Sequence, residues 1–149
     1  MQFPVHSIRL LALLLLIPVT GAFAGHELPV NPATRRWYDP AEVERGQALY
    51  AANCAACHGD RGQGQPNWEE RDESGYYPAP PLDGTGHSAN HPITQMLRTL
   101  DTGGGSMGGT MPSFSDVLAD GDKRAVIAWV QSLWPPAIYE AWLGVHEDE

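Results

Sequence analysis

Cys54, Ala55, Ala56, Cys57 and His58 run consecutively, placing two thiols three positions apart with an imidazole directly after them. The pattern CxxCH is the attachment signature of c-type haem. Its spacing has a direct chemical reason. Thiols one helical turn apart can each add to one of the two vinyl groups on a haem edge, and the neighbouring imidazole then faces the iron as its proximal ligand. Other uses of the pair fit less well. A thioredoxin-like redox couple needs a preceding strand in a βαβ context, whereas a helical pattern precedes Cys54. A structural zinc site needs four ligands, and no second CxxC or paired-histidine element exists. As a disulfide the pair would close almost no loop and stabilise little. The chain has only these two cysteines. The expectation is one covalent haem c, held by Cys54 and Cys57 and ligated by His58.

The residues leave the opposite side of such an iron open. Met111 stands before Pro112 at the end of the glycine-rich run Gly103–Met111. A thioether opposite a histidine favours ferrous iron and raises the reduction potential. Met107, four residues earlier in the same run, is a rival. His87 and His91 are others, and would give a lower potential. Met96 fits simple gap-filling in a core.

Positioning these groups requires helices. Asp39 is a candidate N-cap, Pro40 fits the first helical position, and Glu42 completes a capping-box spacing. Val43, Gly46, Leu49 and Tyr50 recur at helical intervals, which predicts a helix up to Asn53 running into the cysteine motif. A short helix is expected from Pro92, with Ile93, Met96, Leu97 and Leu100 on one face, ending before Gly103. A third is expected from about Asp120 to Leu133, with Val126, Ile127, Trp129, Val130 and Leu133 inward, closed by Pro135 and Pro136. Ile138, Tyr139, Trp142 and Leu143 suggest one or two further amphipathic turns before an acidic tail. Between these elements, 59–81 reads as irregular, and glycine density forbids regular structure over 103–111. Nothing alternates at period two, so the fold class is all-α, with three to five short helices. That is a thin core, and a haem would fill it.

The N-terminal stretch reads differently. The apolar run Leu10–Ile17, then Pro18, Gly21 and Ala22-Phe23-Ala24, matches a secretory signal cleaved after Ala24. The run is well short of the ~20 residues that span a bilayer. Residues 25–38 then read as an extended entry segment, 39–134 as the domain, and 135–149 as a short helix and tail. With the signal removed, no transmembrane segment remains, and export places the protein in the periplasm. The net charge of −9 excludes nucleic acid as a partner and would steer basic protein patches toward the surface.

The ordered set formed by a first helix with glycine before CAACHG, then PPLDGTGH, TMPSF and AVIAWVQSLWP resembles class I c-type cytochromes of the bacterial mono-haem kind. The likeness covers roughly 39–134. It implies that Gly46 lies where the first and last helices cross, with Trp129 packed against it. It implies that Pro80 offers its carbonyl to the His58 Nδ1–H, and that Met111 is the distal ligand. It also implies single-electron transfer between redox proteins, such as a membrane oxidase or a periplasmic or membrane dehydrogenase, with no catalytic acid or base. The charged, aromatic insertion between His58 and Pro80 departs from the family's pattern, as does the tail after Trp134. Trp68, Arg71, Tyr76, Tyr77 and His87 are candidate donors to haem propionates. The alternative is a haem enzyme or a gas or peroxide sensor in which the glycine-rich loop releases Met111.

Overall fold

A computed structural model describes residues 30–146. The expected signal peptide, the first residues of the entry segment and the last three residues of the tail lie outside the described residues. Among the described residues five helices follow in order: α1 Pro40–Asn53, α2 Ala55–His58, α3 Ile93–Thr102, α4 Asp120–Ser132 and α5 Pro136–His146. Two 3-10 turns, His87–Asn90 and Gly105–Met107, flank α3. Among the described residues the only strand-like pairings are isolated bridges, Asn31 with Arg36 and Tyr77 with Gly109. The architecture is all-α.

The start of α1 is fixed by its own first turn. The Asp39 carboxylate accepts from the Glu42 amide at 2.9 Å, and the Asp39 amide donates to the Glu42 carboxylate at 3.1 Å. Both donors would otherwise be left over at a helix N-terminus. Only Gly46 and Tyr50 of α1 are fully buried. That narrow face lies on α4, whose run Ala125–Gln131 is buried throughout. The approach is backbone to backbone: a Cβ on Gly46 would lie 1.9 Å from the Ala125 carbonyl oxygen and 2.9 Å from Trp129 Cβ. One turn on, Tyr50 and Trp129 pack with their rings tilted by 37° and centroids 4.1 Å apart.

The C-terminal segment is longer than the one or two turns its pattern suggests. Pro136 suits a first helical turn, and Tyr139, Trp142 and Leu143 then share one buried stripe. Trp134 and Trp142 meet edge to face at 6.0 Å. Their indole N–H groups donate to the carbonyls of Leu82 and His91, both at 2.8 Å. These aromatics are core. The entry segment completes the layer. Trp37 Nε1–H donates to Gln131 Oε1 at 2.6 Å inside the core, where leaving the pair unmade would cost about 1–3 kcal/mol. Arg36 lies 3.6 Å from the Tyr139 ring centre. The Arg35–Glu140 ion pair, at 2.9 Å, is exposed and contributes no more than about 1 kcal/mol. Apolar burial, not charge, docks α5.

Replacing Gly46 with alanine should therefore cost about 1–3 kcal/mol or more, since neither helix backbone can yield at the crossing. Denaturant unfolding of the haem-loaded protein reads this, and an unchanged midpoint would refute the close approach. A second expectation concerns alkali. Burial raises the phenols of Tyr38, Tyr50 and Tyr139 above the ordinary 10, Tyr38 to about 12, although Arg36 pulls Tyr38 and Tyr139 partly back. A phenol with a higher pKa folded than unfolded adds stability that is complete below pH 10 and drains away as pH climbs toward 12. Stability should fall across that window, with phenolate absorbance from these three accompanying unfolding. Their ionisation near pH 10 in an intact fold would contradict their burial.

Candidate haem-binding site

The cysteine motif sits at the break between α1 and α2. Cys54 ends α1 as its C-cap, its amide donating to the Tyr50 carbonyl, and α2 is the single turn that carries Cys57 and His58. Both thiols are free; Cys54 is buried and Cys57 exposed. Burial, with Cys57 close by, pushes the Cys54 thiol up to about 11, so it is a protonated thiol at neutral pH. His58 is buried at 8% exposure, and burial lowers its pKa, which keeps the ring neutral.

The orientation of His58 is set by a contact 22 positions away in the chain. Its Nδ1 lies 2.8 Å from the Pro80 carbonyl oxygen. A carbonyl can only accept, so Nδ1 carries the proton and Nε2 carries the lone pair that a metal would take. Three glycine turns bring Pro80 there. Gly59, Gly62 and Gly64 all have φ between +69° and +79°, a region that costs other residues about 1–2 kcal/mol. Through them the Gly64 amide donates to the His58 carbonyl at 2.8 Å and the Leu82 amide to the Gly62 carbonyl at 2.6 Å. The Tyr50 hydroxyl donates to the Gly59 carbonyl, and Gln65 Nε2–H to the Cys57 carbonyl, both at 2.8 Å. The sequence pattern did not single out Gly64, Gln65 or this role of Tyr50. Only the dense glycines of GDRGQG hinted at positive φ, and a hydroxyl-to-carbonyl bond leaves no periodic signal.

Among the distal candidates the structure discriminates. Met111 is partly buried against the core with Met96, Leu97 and Leu82, while Met107 is 55% exposed at the tip of a 3-10 turn. The loop closes around Met111: the Gly104 amide donates to the Met111 carbonyl at 2.9 Å, and a Cβ on Gly103 would lie 2.6 Å from that same oxygen. The Phe114 amide to Leu100 carbonyl bond, 2.8 Å, anchors the far side of the loop to α3. His87 instead stacks on Trp68 at 5.5 Å and meets His91 edge to face at 5.6 Å. Of the propionate candidates, Arg71 and Tyr77 pair with each other, the guanidinium 4.4 Å from the ring centre. Tyr76 stays exposed.

The donor set fits a covalently attached haem. Two unpaired thiols share one turn with a neutral imidazole whose outer nitrogen is already engaged, and a partly buried thioether stands on a separate loop. Partly open apolar residues from three segments, Leu82, Met96 with Leu97, and Met111, would complete their burial against an apolar macrocycle.

Residues 41–130 match the family described as cytochrome c oxidase, cbb3-type, subunit III. Over 113 residues, 76% of the chain, it is 31% identical to the cbb3-type cytochrome c oxidase subunit CcoP of Azospirillum brasilense. It is 40% identical over 67 residues, 44% of the chain, to thiosulfate dehydrogenase of Stutzerimonas stutzeri, and 37% identical over 95 residues, 63% of the chain, to the cytochrome c subunit of the cytochrome bc1 complex of Corynebacterium diphtheriae. The aligned parts are 35%, 20% and 28% of those proteins, so the chain spans about a third or less of their length. No solved structure matches it.

The Pro80 contact can be tested through Gly64. An alanine methyl there would lie 2.4 Å from Pro81 N and 2.7 Å from the Pro80 carbonyl carbon, at φ +72°. Gly64→Ala should push the Pro80 carbonyl off His58, make the imidazole a weaker base and raise the reduction potential of the haem-loaded protein. Gly144→Ala is the control, because that glycine lies on α5 and a Cβ there would meet nothing within 4 Å. Equal potentials in both variants would show that the carbonyl does not tune the site.

Proposed function

The chain belongs to the family described as cytochrome c oxidase, cbb3-type, subunit III, and from that premise we propose that it is a periplasmic electron carrier whose single haem is ligated by His58 and Met111. It is a c-type cytochrome domain with one covalent haem c, and it transfers electrons. The observation that supports the ligand assignment is the His58 Nδ1 bond to Pro80 at 2.8 Å, which leaves the Nε2 lone pair available to a metal, beside a closed loop that carries Met111, partly buried against the core.

When bound, the haem supplies one-electron chemistry. The chain's own residues do the rest. Cys54 and Cys57 would hold the macrocycle through thioether bonds, and His58 would ligate without titrating. Met111 would complete a coordination that changes little between oxidation states. Leu82, Met96 and Leu97 would keep water away. Export is supported by the apolar run Leu10–Ile17 and the Ala22-Phe23-Ala24 pattern. Among the described residues no helix is long and apolar enough to cross a membrane.

The partners are proposed from the relatives' names. One is an oxidase subunit, one belongs to a bc1 complex and others are dehydrogenases, including the quinohemoprotein alcohol dehydrogenase of Comamonas testosteroni, 34% identical over 98 residues. A stretch similar to part of each of these proteins suits a relay between a dehydrogenase and an oxidase. The net charge of −9 suits partners with basic docking faces.

An optical spectrum of the protein made in a host competent for haem attachment tests this reading. A sharp c-type reduced spectrum is expected, with a weak far-red methionine-to-iron band in the oxidised form that Met111→Leu removes. A c-type spectrum with prompt, tight carbon monoxide binding would replace the carrier with a haem enzyme or sensor. Absence of haem would end the proposal.

A further inference from the structure

The insertion between His58 and Pro80 is built as a closed loop. At its base the Gln65 amide donates to the Ala79 carbonyl at 2.9 Å. At its tip Asp72 organises a tight turn: its carboxylate accepts from the amides of Ser74 and Tyr76 at 2.9 and 3.0 Å, and its own amide donates to the Tyr76 carbonyl at 2.8 Å. That turn places Arg71 and Tyr77 side by side. The Arg71 guanidinium lies 4.4 Å from the Tyr77 ring centre and donates to the Gly75 carbonyl.

What this pair touches is the methionine loop. The Tyr77 amide donates to the Gly108 carbonyl at 3.0 Å, and Tyr77 bridges Gly109 in a parallel pairing. Arg71 lies over Gly108 so closely that a Cβ there would come within 3.0 Å of its Nη2. Gly109 is two residues from Met111. The glycine run has almost no side chains with which to hold itself, and glycine there carries the largest entropy loss on ordering. Its internal bonds are those of Gly104 with Met107, Gly109 and Met111, and of Gly105 with Gly108. The insertion supplies the fastening from outside.

We propose that the 66–79 insertion is a clasp on the 103–111 loop, with Arg71 and Tyr77 as positioning residues that hold Met111 in place as a ligand. This rests on the His58/Met111 reading and deepens it, by naming the residues that set how often the thioether lets go. Arg71 acts through a planar guanidinium stacked on a ring, so lysine is a poor substitute.

Exogenous imidazole, which occupies the ferric iron when the methionine leaves, measures that release. Arg71→Ala should bind imidazole roughly three- to tenfold more tightly than the parent protein, the scale of a lost cation–π contact plus a hydrogen bond, and Tyr77→Ala, which keeps its backbone bond to Gly108 and loses the ring contact alone, roughly two- to fivefold more tightly. Arg71→Lys should fall between Arg71→Ala and the parent. Amide hydrogen exchange over 103–111 should quicken in the alanine variants. Arg35→Ala, which removes the same charge from the Arg35–Glu140 pair, should change neither readout. If the parent shows the far-red methionine band but the variants match it in imidazole affinity and exchange, the clasp is overturned and the ligand assignment stands. If the parent lacks the band, the ligand assignment fails and the clasp falls with it. Faster exchange with unchanged imidazole affinity would make the insertion a brace for the loop alone, and would equally overturn its role in ligation.

Discussion

The contact on which the rest depends is the one with least chemistry in it, the passage of Gly46 against the Ala125 carbonyl. No side chain separates the two helices there, so α1 and α4 lie as close as backbones allow. That distance decides where α1 ends, and α1 ends in Cys54. The tilted packing of Tyr50 on Trp129 one turn later removes the remaining freedom to roll, and the Tyr50 hydroxyl reaches on to the Gly59 carbonyl beyond the motif. Helix crossing, cysteine placement and proximal loop form one mechanical sequence. A looser crossing would be felt at His58.

The proximal and distal sides are ordered by opposite means. On the His58 side, glycines with positive φ fold the chain back so that the backbone supplies the partners: Pro80 to the imidazole, His58 to Gly64, Gly62 to Leu82. Such a network is stiff, because each bond fixes the next. On the Met111 side, glycines again allow the turn, but few partners exist within the loop, and its firmness is borrowed from α3 through Phe114 and from the insertion through Tyr77. Under the proposed His58/Met111 ligation, an imidazole that stays and a thioether that can be loosened would be a sensible division for a haem site.

Much of this was legible in the amino-acid order. The capping box at Asp39, the glycine at the crossing, the CxxCH turn and the apolar stripe of α4 are local patterns with local causes, and periodicity or spacing exposes them. Pro80 came through resemblance alone, because a carbonyl reaching 22 positions back has no signature in residue type. The Trp37–Gln131 bond and the Arg71–Tyr77 pair were invisible for the same reason, each joining segments that only the folded chain brings together. The stripe of Tyr139, Trp142 and Leu143 was legible, but the extent of α5 was underestimated because Pro136 was read as closing α4 and not as the first residue of a new helix. Irregular segments were recognised as irregular. Which irregular segments hold one another was not.

The layer made by the entry segment and α5 lies largely outside the span that matches the family, and it draws residues 35 and 140 to within an ion pair of each other. A domain whose entrance and exit meet on one side behaves as a cassette. It can be spliced into a loop of a larger host, or strung between two others, without separating its own ends, and the host then needs only two adjacent attachment points. The relatives are each much longer than the stretch they share with this chain.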